Sequence, residues 1–253
     1  MKRLLGFVAA VCLILFPVSA VRAQEHPKTV AVIVNATPKP GMQQQWEAAL
    51  KKVVQWRRQH NDPWTRYVWE VMSGDETGTY VVGSFGHDWK DFDEESKLMQ
   101  GDPVASIMDP VTQSHEYSYS ELLTDISSMP TGGQPSPYLE LTSYSLKPGA
   151  ERDVIAVIKQ ANAAEKKTNY PSKPSAWYSL LNGGPSGTLV VVSARNNWAD
   201  FQPPTQSFSD MIASVYGKAG DEALRKTFFR SIRASTSAIL RYRPDLSYIA
   251  AAP

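Results

Sequence analysis

The stretch Leu141–Lys159, LTSYSLKPGAERDVIAVIK, decides the fold of this 253-residue chain. Its first residues favour a β-strand, and the apolar residues of its second part follow helical spacing. A Lys-Pro-Gly turn separates the two parts, because proline removes a donor of the strand ladder and glycine permits the turn. The stretch Thr37–Gly41, TPKPG, stands in the same context 108 residues earlier, between a strand-like and a helix-like run.

The rest of the sequence repeats with the same spacing. Three further landmarks recur at an offset of 108 or 109 residues: Trp69 and Trp177, GTYVV at 78–82 and GTLVV at 187–191, and DWKDF at 88–92 and NWADF at 197–201. A nearly constant offset over four landmarks indicates two copies of one structural unit. The shift by one residue predicts an insertion in the turn between the second and third strands, where an insertion costs least.

Each copy reads as β-α-β-β-α-β, which is the ferredoxin-like order of elements. Asp88 and Asn197 are expected to cap the second helices, with Asp91 and Asp200 as the reciprocal acids. One such unit leaves a sheet face uncovered, and the other copy is the obvious partner for that face. The sequence therefore predicts an α+β fold in which two tandem ferredoxin-like (βαββαβ) units form an intrachain pseudo-dimeric α/β barrel. Because the linker keeps the two units close together, we expect a monomer.

The composition divides the chain into four segments. Residues 1–23 read as a signal peptide, 24–126 as the first ferredoxin-like repeat, 127–137 as a linker rich in Pro, Gly and Ser, and 138–253 as the second repeat.

The first segment has the pattern of a secretory signal. Two basic residues precede an apolar run at 4–20, and Val-Arg-Ala at 21–23 offers small residues to a signal peptidase, so we expect the mature chain to begin at Gln24. A transmembrane anchor is the alternative, although Pro17 and Ser19 interrupt a run that is short for a membrane span. We therefore expect an exported, soluble protein, periplasmic or secreted, that does not insert into the membrane after cleavage.

Charge and cysteine usage exclude several classes of function. Removal of residues 1–23 takes away three basic residues and changes the net charge from +1 to −2, which gives no general attraction to nucleic acid. The only cysteine, Cys12, lies inside the signal segment, so the mature chain has no thiol nucleophile and no cysteine metal ligand. The sequence contains no G-x-S-x-G, H-E-x-x-H, phosphate-loop or dinucleotide motif, and we expect no cofactor.

The repeated pattern resembles a known superfamily. A strand that ends in Lys-Pro-Gly, a helix, a Trp-bearing second strand, and a Val-rich third strand followed by N/D-W-x-D-F are similar to the dimeric α/β-barrel superfamily. Within it, Leu141–Lys159 resembles the NIPSNAP-like group most, and the antibiotic-biosynthesis-monooxygenase-like group next. The superfamily contains oxygenases, isomerases, haem enzymes and binding proteins, so the resemblance is specific for the fold and weak for the function. It implies a haem ligand in the later half, where this sequence has no histidine.

Polar and aromatic side chains on the predicted strands are the candidate site. His115 and Tyr117 alternate onto one face of the last strand of the first copy, Glu140 lies on the first strand of the second copy, and Arg66 on a second strand. These four residues are predicted to line a ligand site between the two sheets, and the alternative is that they face solvent. The acids at 88–95 are interpreted as helix caps rather than calcium ligands, and the paired tryptophans, including Trp89 and Trp198, as core.

Two functional hypotheses follow from this pattern. The first is a protein that binds a small apolar or aromatic molecule between its sheets. The second is a cofactor-independent oxygenase or isomerase in which His115 or Glu140 acts as general base. A purely structural interaction module remains a third possibility. Burial separates the first two, because a base enclosed in an apolar pocket favours the enzyme and an exposed one favours the binding protein.

Overall fold

Eight strands in the described part of the chain close into one antiparallel barrel. The structure is a computed structural model that describes residues 28–98, 100–130 and 135–251; the predicted signal segment lies outside these residues. Around the barrel the strand order is β1-β3-β2-β8-β5-β7-β6-β4, and β4 pairs with β1 to close the ring. Each half contributes four consecutive strands of this order, so the predicted α+β fold of two tandem ferredoxin-like units is confirmed.

Both halves follow the same order of elements. The first half contains β1 (Val30–Pro38), α1 (Gln43–Gln59), β2 (Tyr67–Val71), β3 (Tyr80–His87), α2 (Trp89–Leu98), α3 (Val104–Met108) and β4 (Thr112–Leu122). The second half contains β5 (Tyr138–Leu146), α4 (Glu151–Thr168), β6 (Ser175–Asn182), β7 (Thr188–Arg195), α5 (Phe208–Ser231) and β8 (Ile232–Tyr242). Short 3-10 turns follow β4 at Thr124–Ile126 and β7 at Trp198–Phe201. Within the described residues, no helix is long and apolar enough to cross a membrane.

The two half-sheets meet edge to edge. β2 pairs with β8, and β4 pairs with β6, whereas the other strand pairs lie within one half. The turn after β6 packs against β4 so closely that a Cβ on Gly183 would lie 2.1 Å from the Tyr117 carbonyl oxygen, which requires glycine at that position. The uncovered sheet faces are thus buried inside a barrel that both halves enclose.

Strand register separates the inner face of the barrel from its outer face. Ala36, Val68 and Tyr80 pack with Trp46 of α1, so these strand residues face outward, toward the helices. Trp69 packs with Leu139 and Leu240 from the other half, so it faces the barrel interior. Side chains alternate between the two faces along a strand, and paired residues share a face. These examples therefore determine which face each remaining strand residue occupies.

Each half completes the core of the other. Ile126, after β4, is buried in the core between the second sheet and α4, while Leu246, after β8, is buried in the core between the first sheet and α1. Matching hydrogen bonds hold the two segments in place. Ser127 Oγ accepts from Trp177 N, and Ser247 Oγ accepts from Val68 N, each at 2.9 Å. The predicted linker at 127–137 is therefore anchored at its start.

The register places the extra residue of the second copy before its second strand. Trp69 lies inside the barrel, and Tyr178 lies there too, 6.0 Å from the Phe85 ring, whereas Trp177 packs on the helix side with Tyr144. Tyr178 is therefore the counterpart of Trp69. The predicted equivalence of Trp69 and Trp177 is wrong by one residue, and the predicted insertion in the β2–β3 turn is wrong as well. The extra residue belongs to α4, which has 18 residues against 17 in α1.

Candidate functional site

The four predicted site residues do not meet between the sheets. His115 is paired with Ala36 and Tyr117 with Val34, and both partners belong to the outer face of the barrel. Glu140 lies on the outer face of the second half, because its neighbour Leu139 points inward. The predicted placement between the sheets is wrong, because a strand-phase error of one residue turns each side chain to the opposite face.

The barrel interior is filled by the protein's own side chains. Five aromatic rings with centroids 5.9–6.3 Å apart pack there with aliphatic residues from both halves: Tyr67, Trp69, Phe85, Tyr178 and Tyr242. Burial raises the pKa of the Tyr178 hydroxyl to about 12. Trp69 Nε1 is buried without a hydrogen-bond partner among the described residues. The interior is a core, and it leaves the outer faces as the place for a site.

Three of the predicted residues lie instead on the helix side of the first half. Its sheet carries α1 on one side, packed over Tyr80 and Val68, and α2 on the other, where Trp89 and Phe92 pack on Tyr119. Between the helices lies the outer face of β1 and β4, which we call the first-half groove. Its floor is formed by Val32, Val34, Tyr117 and Tyr119.

Tyr117 is the most exposed aromatic residue of this face. It exposes 55% of its surface, and its ring lies 5.6 Å from the exposed His115 ring. Burial of the hydroxyl end raises the pKa of Tyr117, and the nearby Arg66 opposes that increase. Arg66 therefore acts electrostatically on Tyr117, and both side chains lie outside the barrel.

Arg66 forms a buried charged cluster at one end of the groove. Its guanidinium pairs with Glu95 of α2, lies 4.0 Å from Asp62, and stacks over the Trp64 ring at 5.0 Å. Burial, together with the nearby Arg57, lowers the pKa of Arg66. Arg66 Nε is buried without a hydrogen-bond partner among the described residues.

A buried histidine supports this end of the groove from below. His87 is stacked on Trp64 at 3.7 Å, and its Nε2 lies 2.7 Å from Ser84 Oγ. Ser84 donates its only hydroxyl proton to the Thr65 carbonyl, so His87 Nε2 carries the proton of that contact and donates it. Burial and the nearby Arg66 lower the pKa of His87 to about 4. The pair is enclosed and neutral, so it offers no accessible nucleophile.

The second half has no equivalent groove. Ser235 and Ser237 stand where the first half has His115 and Tyr117, since they pair with Tyr144 and Thr142 of β5. The long helix α5, which bends at Gly217 (φ 74°), packs on α4 through Met211 and Ile212. In the first half, by contrast, no side chain of α2 within the described residues belongs to a buried hydrophobic core.

Glu140 occupies the position that Val32 has in the first half. It pairs with Arg195 on the neighbouring strand β7, and its side chain is 43% exposed. This ion pair belongs to the second half and shares no contact with the groove.

The acids at the start of α2 cap that helix. Asp88 and Asp91 form the predicted reciprocal caps, with Asp88 N donating to Asp91 Oδ2 at 3.0 Å and Lys90 N to Asp88 Oδ1 at 2.8 Å. No group of three or more acids or histidines in the described ranges could hold a metal ion. The predicted core position is wrong for Trp89 and Trp198, which are 50% and 56% exposed.

Two surface depressions lie along α1. One, of about 620 Å³, adjoins the Lys-Pro-Gly turn, and the other, of about 460 Å³, lies between α1 and α3. Neither contains any of the four predicted residues, so neither is part of the candidate site.

The fold is shared with several solved structures. A search against family models and a search of curated proteins both found no match. An anthrone oxidase-like protein matches with 13% identity and a TM-score of 0.54 over 85% of this chain and 92% of that one. A candidate monooxygenase from Fusobacterium nucleatum has 11% identity and a TM-score of 0.56 over 86% and 94%. A variant of chlorite dismutase from Candidatus Nitrospira defluvii has 7% identity and a TM-score of 0.52 over 88% and 94%.

The chain has the tandem ferredoxin-like fold of these proteins. At such low identity the similarity establishes the dimeric α/β-barrel architecture and no more. The position that the sequence resemblance implies for a haem, in the second half, does not fit this chain. That half contains no histidine, and the space between its sheet and helices is filled by Val154, Ile158, Leu189 and Phe228.

Two members of the charged cluster, Glu95 and Arg57, could not be identified from the sequence pattern. In the sequence, Glu95 is one of the acids at 88–95 that are interpreted as helix caps, and no sequence motif marks Arg57. A possible signal was the excess of charge on both sides of Trp64, but only the fold shows that Arg57, Asp62 and Glu95 all surround Arg66.

Proposed function

We propose that the chain binds a small aromatic molecule in the first-half groove. The observation that carries this proposal is the exposure of Tyr117, at 55%, on a sheet face that the helices of a ferredoxin-like unit normally cover. It lies beside a buried arginine, and the second half has serine in its place. An exposed aromatic floor with one placed charge is typical of a small-molecule site.

The structurally similar proteins support an aromatic ligand. One of them is described as anthrone oxidase-like, and anthrone is a flat aromatic ketone. The predicted site between the sheets is replaced by the groove, while the predicted class of ligand is kept. The closer resemblance to NIPSNAP-like domains remains a prediction.

A cofactor-independent oxygenase or isomerase is the second candidate. One observation favours it, namely that the exposed His115 ring lies next to Tyr117 and could reach a bound molecule as a general base. Binding without chemistry ranks first, because His115 stands on an open strand face rather than in an enclosed apolar pocket. Export to the periplasm or outside the cell, with the mature chain starting at Gln24, belongs to the same proposal.

Replacement of Tyr117 tests the binding site. The variant Tyr117→Ser introduces the residue that the second half has at this position, and it removes the stacking surface from an exposed site. We expect the affinity for a naphthalene derivative such as 2-naphthoate to fall about tenfold, which corresponds to about 1.4 kcal/mol. Isothermal titration calorimetry measures this change.

The control for this variant is Phe229→Ser. Phe229 is another exposed aromatic residue, at 66%, and it lies on α5 of the second half. We expect this variant to bind like the wild type. Equal loss of affinity in both variants, or no change in Tyr117→Ser, would show that the groove is not the binding site.

A further inference from the structure

We infer that the ligand of the first-half groove carries an anionic oxygen, and that this oxygen binds Arg66 in place of Glu95. The inference rests on the proposed function and specifies the class of ligand: an aromatic carboxylate, phenolate or enolate. Three features of the site support it: the unused hydrogen-bonding capacity of Arg66, the charge balance around Arg66 and the loose attachment of α2.

Most of the hydrogen-bond donors of the Arg66 guanidinium have no acceptor among the described residues. A guanidinium has five N–H donors, and a buried one normally uses most of them. The Arg66 side chain donates one hydrogen bond to another described residue, from its terminal nitrogen to Glu95 Oε1. Its Nε is buried and unpartnered. Two adjacent N–H groups of a guanidinium match the spacing of the two oxygens of a carboxylate, and an aromatic acid could supply that carboxylate.

The other charges of the cluster are already matched. Asp62 Oδ2 accepts from Arg57, and Asp62 Oδ1 accepts from Trp64 N at 2.8 Å. Arg57 and Arg66 therefore face two carboxylates, and Glu95 supplies the second negative charge. Since a buried cation left without an anion is costly, whatever displaces Glu95 must itself be negative.

Glu95 can be displaced because α2 is held by few contacts. The helix is attached through Trp89 and Phe92 on Tyr119, through the Lys28–Asp91 ion pair at 3.1 Å, and through Glu95 itself. Phe92 also contacts the rings of Trp64 and His87, and among the described side chains of α2 it is the one that reaches this buried pair. The Glu95 side chain is 23% exposed, so its carboxylate regains water when it leaves Arg66. Segments with few buried apolar contacts open at low free-energy cost.

Arg66 lies where a ligand that stacks on the aromatic floor could place its anionic group. The Trp64 ring under Arg66 contacts Phe92 at 5.0 Å, and Phe92 contacts Tyr119 of the groove floor at 5.4 Å. A continuous set of packed rings therefore links the cation to the aromatic floor. A flat ring that lies on Tyr117 could thus direct a carboxylate toward Arg66.

The experiment compares 2-naphthoate with its neutral analogue 2-naphthamide on the wild type and on Glu95→Gln. The substitution removes the competing charge and keeps the shape of the side chain. We expect the affinity for 2-naphthoate to rise about tenfold in Glu95→Gln, while the affinity for 2-naphthamide changes less than about twofold. Calorimetry at low ionic strength measures both affinities. A cooperative thermal transition verifies that the variant is folded, with a lower midpoint because Arg66 has lost its anionic partner.

The matched control is Glu94→Gln, which makes the same change of charge at an exposed position next to Glu95 on α2. It should leave both affinities within about twofold of the wild type, since a screened surface charge contributes little. A rise in Glu94→Gln equal to that in Glu95→Gln would overturn the inference, because long-range charge would then explain the effect.

Two further outcomes separate the inference from the proposed function. If both compounds bind the wild type equally, in a manner that depends on Tyr117, and Glu95→Gln changes neither, the groove is a binding site and the inference is wrong. If neither compound binds the wild type, the proposed function fails and the inference fails with it.

Discussion

Replacement of Leu246 by alanine is expected to lower the free energy of unfolding by about 2–5 kcal/mol. Leu246 is fully buried, yet it belongs to the second half and fills the core beneath α1 of the first, against Trp46 and Val68. Its loss leaves a cavity where the two halves are joined. Chemical denaturation monitored by circular dichroism measures the change.

Two variants control for position and volume. Ile249→Ala removes a comparable side chain from the same C-terminal segment, where Ile249 is 54% exposed, and is expected to cost less than about 0.5 kcal/mol. Leu246→Met conserves volume and is expected to cost less than about 1.5 kcal/mol. A loss below about 1 kcal/mol for Leu246→Ala would contradict the exchange of core residues between the halves.

The first half is expected to be unstable in isolation, because its core contains residues of the second half. Residues 24–128 lack Leu246, leave the inner face of their sheet uncovered, and carry Ile126 without the core it fills. We expect this fragment to self-associate or aggregate. A monomeric, cooperatively folded fragment on size-exclusion chromatography and thermal denaturation would contradict this expectation.

Acid is expected to destabilise the protein through His87. Its folded-state pKa of about 4 is below the ordinary value of 6.5, because burial and Arg66 disfavour the charged ring. Between pH 6.5 and about 4, His87 is therefore protonated in the unfolded chain but neutral in the folded chain. His87 does not change the free energy of unfolding above pH 6.5. Its contribution lowers that free energy as the pH drops from 6.5, by roughly 3 kcal/mol at about pH 4.

The variant His87→Phe isolates this contribution. Phenylalanine keeps the stacking on Trp64, and Ser84 retains its hydrogen bond to Thr65, so the core stays filled. The difference in stability between pH 6.5 and pH 4 should shrink by roughly 3 kcal/mol in this variant and remain unchanged in His60→Asn, which alters an exposed histidine. Parallel pH profiles of the wild type and His87→Phe would contradict the assignment.

The fold could be predicted from sequence because its determinants are local and occur twice. The Lys-Pro-Gly turns end β1 and β5 in the same way, and the D-W-x-D-F motif starts α2 with the expected caps. The prediction that Asn197 caps the second helix of the second copy is wrong, because Asn197 caps only the 3-10 turn at Trp198 and Ser207 caps α5. Turn and cap residues act over a few positions, so they can be recognised without knowledge of the tertiary structure. Repetition at one offset then supplies the topology.

The site was predicted less well because its geometry depends on strand phase and on α2. His115 and Tyr117 were correctly placed on one face of β4, but which face that is depends on pairing with β1. Glu140 looked similar on its strand, yet it pairs with Arg195 in the other half. The groove itself exists because α2 is short and is not packed on α1, and this depends on tertiary packing rather than on periodicity.

The central claim is that an aromatic anion binds between α1 and α2 of the first half. The most direct measurement follows the tryptophan indole N–H resonances during titration with 2-naphthoate. The resonances of Trp64, below Arg66, and of Trp89, beside Tyr119, should shift, while that of Trp198 in the second half should not. A shift confined to Trp69, inside the barrel, or the absence of any shift at saturating ligand, would contradict the account.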